Sequence, residues 1–376
     1  MADVLPLSSE EHLALVKAQA PIYLEKASDL TYRRRLWLSM LRRYGMIEAN
    51  ANSHSLVWNV EYSEPEVRQY ADAGDLEFNE HDALQQLVLD VRGYTATDRI
   101  TEKQKLMNGG SAQVDDLYKN KTDRLLKRVN KVLCGEMYVD GNATGNSNRF
   151  MGVNSFLGDD GATVAADQIA RPSDSYAGRS TAPGADGGTY SSDGTSYNAT
   201  MATDFPFGSG DVEYDYLLPL LVNISSTGWK GGTTFDSNCE EIMRFARIAQ
   251  VNRGAKLENS KAPFIHMLGA DMYADFLNFY SARNRQVVPH AESANLGFGD
   301  TMNFEGDAVH YEYDCPSGEG YGFVPTMMEL FHLGPQLINS RGPEWAITKM
   351  AYLYLIYVFG NLRCQPKFFV KYKSYA

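Results

Sequence analysis

Cysteine is scarce. The 376 residues hold four, Cys134, Cys239, Cys315 and Cys364, far apart and with no CxxC pair. That spacing argues against a zinc or redox site and reads as buried, reduced thiols. The seven histidines are scattered, and no HExxH, GxSxG, GxGxxG or P-loop occurs. The sequence therefore offers no catalytic centre, no metal site and no cofactor site. No apolar run approaches the roughly 18 residues of a membrane span. The start, MADVLPLSSEEHL, lacks the basic region and apolar core of a secretion signal. A soluble intracellular protein without a membrane partner is expected. Positive charge is short as well: 35 Lys and Arg stand against 47 Asp and Glu, for a net charge of -12. A dedicated nucleic-acid reader would carry a basic domain, although local basic patches stay open.

What is present begins with one long amphipathic stretch, Ser111 to Tyr138. Val114, Leu117, Leu125, Val129, Val132, Leu133 and Met137 recur at gaps of three and four, the mark of one helix face. Lys119, Lys121, Arg124, Lys127, Arg128 and Lys131 lie between them on a solvated or partner-facing side. Asp115 and Asp116 suit the positive end of the helix dipole. A rod about 40 Å long is a spine for smaller elements. The composition, 44% hydrophobic and 22% charged, predicts a folded protein of two or three packed units.

Residues 1–50 read as a helical arm. Ser8 and Glu11 have capping-box spacing before Leu13, Val16 and Ala20. A second helix is expected from Asp29, with Leu36, Trp37, Met40 and Leu41 on one face and Gly45–Met46 as its end. Arg33, Arg34, Arg35, Arg42 and Arg43 stud it, as a solvated face or as a contact for an acidic neighbour or polyanion. Leu56, Trp58, Val60 and Tyr62, then Leu87, Leu89 and Val91, alternate as the arms of a hairpin. Between the arms lies an acidic strip with Glu64, Glu66, Asp72, Asp75, Glu77, Glu80 and Asp82. Nothing there would bury two carboxylates and separate their pKa values for acid–base work, so a solvated or partner-binding segment is expected.

Thr95 to Gly110 reads as a turn-rich connection. Residues 141–212 are rich in Gly, Ser, Thr, Asp and Asn and read as a long contact-making loop. Asp140, Asn142, Thr144 and Gly145 loosely match a calcium loop, but Met151 stands where its last acidic ligand belongs, so a glycine turn is expected. A helix or strand broken at Pro219 follows, then a helix opened by a Ser237/Glu240 capping box and closed by Gly254. Strands are expected at 263–268, 304–313 and 326–333, with PSGEGYG (316–322) as a turn. His266 reads as a core histidine. The run from Trp345 to Phe359 is expected as a strand buried on both faces, before a last strand at 366–372. The order is α+β.

This order of elements resembles the major capsid proteins of tailed bacteriophages, which have the Hong Kong 97-type fold. The resemblance covers most of the chain: arm, extended hairpin, spine helix, the segment NFEGDAVHYEYD (303–314) and the ending GNLRCQPKFF (360–369). It implies a helical arm (1–50), an E-loop hairpin (51–95), a P-domain with the spine (96–140), a loop or insertion (141–212), an A-domain (213–345) and a return to the P-domain (346–376). It also implies a non-enzymatic shell subunit that forms hexamers and pentamers around double-stranded DNA, in a virion assembled in the host cytoplasm. Expected partners are further copies of the chain, a portal, scaffolding or decoration proteins, and packaged DNA met non-specifically on the inner face. The acidic strip, the five arginines of the arm helix, Lys127, Arg128 and Lys131 are the expected inter-subunit contacts. An encapsulin-like compartment shell and a glycan-binding module using residues 141–212 are the alternatives.

Overall fold

The computed structural model describes residues 35–49, 54–65, 67, 82–107, 111–188, 205–207, 212–255, 264–283 and 302–375. The expected Ser8–Ala20 helix and the start of the arginine helix lie outside them. The chain divides into two compact units.

The larger unit takes Arg35–Gly93, Leu133–Leu337 and Phe359–Ala376. Its centre is a seven-stranded mixed sheet. The strand order is Met302–Phe304, Asp307–Tyr311, Ile265–Leu268, Gly320–Phe323, Phe369–Lys373, Leu220–Asn223 and Ile169–Ala170. One face is covered by the helices Phe235–Asn252 and Ala270–Arg283. On the first, Phe235, Cys239, Ile242, Met243, Ala246 and Ala249 recur at helical spacing and are buried. They join Leu220, Val222, Phe264, Phe276 and Tyr372 in one apolar core. The capping box does not form, because Thr234 takes the N-cap position three residues early. Ser237 Oγ instead donates to the Thr234 carbonyl at 2.9 Å. The C-terminal end follows expectation: Gly254 sits at φ 88°, and the Ala255 amide returns to the Gln250 carbonyl.

Two sequence expectations fail in this sheet. PSGEGYG is not a turn throughout, since its end enters the central strand Gly320–Phe323. A Cβ on Gly320 would stand 2.7 Å from Leu268, and one on Gly322 2.8 Å from Phe264, so the glycines make room for large neighbours on the helical side. The single strand expected at 304–313 is a hairpin turning at Glu305–Gly306, both at positive φ.

Tyr321 and Phe323 point to the opposite face. Phe323 stacks on the buried Trp37 at 4.8 Å and on Phe369 at 5.5 Å. Trp37 opens the helix Trp37–Tyr44, which ends as expected at Gly45, with the Met46 amide bonded to the Leu41 carbonyl at 2.8 Å. The stretch after the spine helix, read as a loop, packs Phe150, Val153, Phe156 and Tyr176 into this side with almost no exposure. Its irregular backbone is satisfied by side chains. Asn142 Nδ2 donates to the Ser155 carbonyl at 2.7 Å, while the Asp140 carboxylate accepts the Asn142 amide at 2.8 Å, a turn brace.

The hairpin Ser55–Glu61/Leu84–Asp90 has the register that alternation predicts, Leu56 opposite Leu89 and Trp58 opposite Leu87. Leu56, Leu87 and Leu89 are buried, whereas the facing pair Val57 and Val88 is exposed. Elsewhere in this unit, Met328–His332 pairs with Ile47–Ala49 in parallel and with Gly360–Cys364 antiparallel.

The smaller unit contains Tyr94–Val132 and Ile338–Val358. Most of the spine helix Ser111–Glu136 lies in it, two residues shorter than predicted. The connection expected at 95–110 is instead a strand, Arg92–Thr101, and a helix, Glu102–Met107. The strand forms because it pairs with the long strand Ala351–Cys364, a partner some 250 residues away. Lys121 ties the spine to it, donating to the Arg99 carbonyl at 2.6 Å. The aromatic run from Trp345 is not one strand. Asn339–Ala346 and Ala351–Cys364 form a hairpin, Trp345 opposite Tyr352, around the turn Ile347–Met350. Tyr352 to Leu355 are only half-buried, so burial on both faces is also corrected.

Candidate inter-subunit surface

The expected contact residues separate into three groups. Arg33, Arg34, Glu66, Asp72, Asp75, Glu77 and Glu80 lie outside the described residues. Glu64 and Asp82, at the two ends of the acidic strip, are exposed, as are Arg42, Arg43, Lys127 and Arg128; Lys131 is half-buried. Arg35 is held within its own subunit. Its Nε and Nη2 grip the Asp314 carboxylate at 2.5 and 3.1 Å, and its guanidinium lies 5.3 Å from the centre of the Tyr313 ring. The Glu312 carboxylate, just past the end of the strand Asp307–Tyr311, accepts the adjacent Leu36 amide at 2.7 Å and so caps the helix Trp37–Tyr44.

Sequence reasoning missed an apolar exposure among the described residues of the smaller unit. The Glu102 amide bonds to the Met350 carbonyl at 3.0 Å, which sets the helix Glu102–Met107 against the turn Ile347–Met350. This tip presents Leu106, Met107, Trp345, Ile347 and Met350 to solvent, with Ile347 80% and Met350 65% exposed. Lys105 lies 4.8 Å from the centre of the Tyr352 ring, and Trp345 is tilted against the same ring at 4.9 Å. Clustered apolar side chains of this size mark interaction sites. The same unit carries an open groove of about 730 Å³, lined by Asp98, Arg99, Arg341, Glu344, Lys349 and Tyr354 among others.

Charges inside the larger unit are arranged for packing. Lys371, buried in the central sheet, donates to Asn154 Oδ1 at 2.9 Å and lies 3.3 Å from Glu319. Burial pulls its ammonium below the usual lysine value. Burial works to raise the Glu319 carboxyl, but Lys371, Tyr321 and Lys373 together outweigh it and hold it below normal. Asp215 bridges Arg253 and Lys367 at 3.5 and 2.9 Å. His266 is fully buried, with Nδ1 3.0 Å from the Tyr372 hydroxyl and Nε2 3.8 Å from Asp307. Burial lowers its pKa, which Asp307 offsets only in part. Among the described residues, no group of three or more His, Cys, Asp or Glu is placed to hold a metal ion, and no helix is long and apolar enough to cross a membrane.

No family model and no curated protein matches the sequence. Solved structures do match, over almost their whole length. The capsid asymmetric unit of Cyanophage A-1(L) aligns over 95% of this chain and 99% of its own, with TM-score 0.57 and 12% identity. The capsid of the native GTA particle aligns over 95% and 97%, with TM-score 0.52 and 10% identity. The capsid of Cyanophage P-SCSP1u aligns over 99% of both, with TM-score 0.50 and 9% identity. The sheet with its two covering helices, the hairpin, the spine helix and the long returning strand are thus the parts of one known architecture, and the chain has the Hong Kong 97-type fold of tailed-phage major capsid proteins.

Proposed function

We propose that the chain is a structural shell protein whose copies associate as hexamers and pentamers into an icosahedral particle enclosing double-stranded DNA. The observation that carries this is the end-to-end match to a capsid subunit, which leaves neither chain with an unmatched domain. Two further features support it. The hairpin is a two-stranded ribbon with an exposed valine pair, an element that is marginal alone in water and gains by lying on a neighbour. The apolar tip around Ile347 has the same need, met by a second copy of this chain. The acidic strip from Glu64 to Asp82 suits a basic surface on an adjacent subunit, such as Arg42 and Arg43 or Lys127 and Arg128. A portal and scaffolding or decoration proteins are the further partners, and the virion is the location.

Electron microscopy of the purified protein, with scaffold supplied where needed, tests the proposal. Closed shells holding nuclease-resistant DNA support it. Closed shells filled with protein cargo would favour the encapsulin-like alternative, and monomers under every condition would refute both.

A further inference from the structure

The hairpin Ser55–Glu61/Leu84–Asp90 cannot aim itself. Its ladder fixes one arm against the other, not the direction of the pair. Its buried leucines contribute apolar contact, which is not directional. Direction comes from its root, where the Val88 amide donates to the Ala177 carbonyl at 3.2 Å and two polar side chains from outside the ladder converge. Asn361, fully buried in the strand Ala351–Cys364, donates Nδ2 to the Asp90 carbonyl at 2.8 Å. Its Oδ1 accepts the Met151 and Leu362 amides at 2.9 and 2.8 Å. Arg92, two residues beyond the hairpin, sends Nη1 to the carbonyls of Gly141, Asn146 and Arg149 at 3.1, 3.3 and 2.6 Å. One side chain thus ties the last hairpin residue to the sheet, and the other pins the chain two residues on to the 141–149 turn.

We infer that Asn361 and Arg92 are positioning residues that set the angle at which the hairpin leaves the subunit body, and through it the curvature of the assembled shell. The second half of this statement rests on the shell reading above. Leverage makes the root matter. Each arm has seven residues, about 24 Å at ~3.4 Å per residue. An error of about 10° at the root moves the far end by about 4 Å, more than a hydrogen bond tolerates.

The test compares Asn361→Ala, Asn361→Asp, Arg92→Met and Arg92→Lys with the parent chain. Asn361→Asp keeps the acceptor for Met151 and Leu362 but cannot donate to Asp90. Arg92→Lys keeps a cationic donor for the three carbonyls. Readouts are thermal melting, hydrogen exchange of the hairpin amides, and particle diameter by electron microscopy. The first three variants should melt as folded proteins, exchange their hairpin amides faster and yield mixed diameters or open sheets. Arg92→Lys should return most particles to the parental diameter. Unchanged hairpin exchange overturns the positioning role. Faster exchange with parental diameters overturns the link to curvature. If the parent forms no shell, the shell reading falls while the exchange data still decide the root. Should Asn361→Ala not fold, the Arg92 pair, at a half-buried site, decides alone.

Discussion

Replacing Ile347 and Met350 together by aspartate should abolish assembly while leaving the subunit folded. Full burial of a side chain of this size is worth about 1.5–3 kcal/mol. With 80% of Ile347 and 65% of Met350 still exposed in the subunit, roughly 1–2 kcal/mol each remains to be gained when a neighbour covers them. The double variant forfeits at least ~2 kcal/mol per contact, about thirty-fold in association, before the cost of desolvating two new carboxylates. That loss recurs at every copy of the contact in a shell. The folded subunit loses little, because an exposed substitution of this kind shifts stability by only about 0.5 kcal/mol. The assay pairs urea denaturation of the dissociated subunit with particle yield by sedimentation. Normal yield at normal subunit concentration would show that the tip stays exposed in the particle, and the reasoning would fail.

The remaining predictions concern charge and burial. Reversing Asp72, Asp75, Glu77 and Glu80 to lysine should leave circular dichroism unchanged but cut particle counts in light scattering. Each exposed pair is worth only about 0.2–1 kcal/mol, so the loss should shrink at high salt; full yield across a salt series would reduce the strip to a solubility feature. His266 is held neutral by burial, below its usual 6.5. As pH falls under 6.5 the unfolded chain takes up a proton that the folded chain refuses, so stability declines and levels off below the folded pKa. His332 shifts in the same direction, so the measurement is the difference: urea midpoints of His266→Gln should fall less steeply with acid than those of the parent, and equal slopes would refute the assignment. Lys371→Met should cost about 3–5 kcal/mol, the range for stripping one partner from a buried pair. The lower end is expected, since Lys373 stays 3.5 Å from Glu319. Adding Glu319→Gln should recover part of the loss, and a double variant no more stable than the single one would contradict this account.

The elements legible in the sequence are those fixed by local chemistry. The spine helix shows through its three-and-four spacing, the end of the helix Trp37–Tyr44 through Gly45 and Met46, and the hairpin register through Leu56, Trp58, Leu87 and Leu89. Elements made by distant partners stay hidden. Arg92–Thr101 carries one fully buried apolar residue, Ile100, and is a strand because of its pairing. Gly320–Phe323 reads as a turn because glycine signals turns, whereas here it clears space for Leu268 and Phe264. The apolar tip follows from a turn that no Gly, Pro, Asn or Asp announces: Met350 itself takes the left-handed conformation, at φ 42°. For the same reason the arginine helix was only partly legible as a surface. Arg35 carries the same charge as Arg42 and Arg43, but only the fold brings Asp314 to it.

The four thiols give the molecule an unplanned reporter. All are buried. Burial pushes Cys134 up to about 12 and raises Cys315 and Cys364 as well, so these three carry almost no reactive thiolate at neutral pH. In the proposed shell, subunits would therefore not crosslink through these sulfurs on passing into oxidising surroundings. A maleimide or disulfide dye added outside would find nothing to modify until a subunit opens. The rate of labelling then counts opening events of the folded subunit, without any engineered probe.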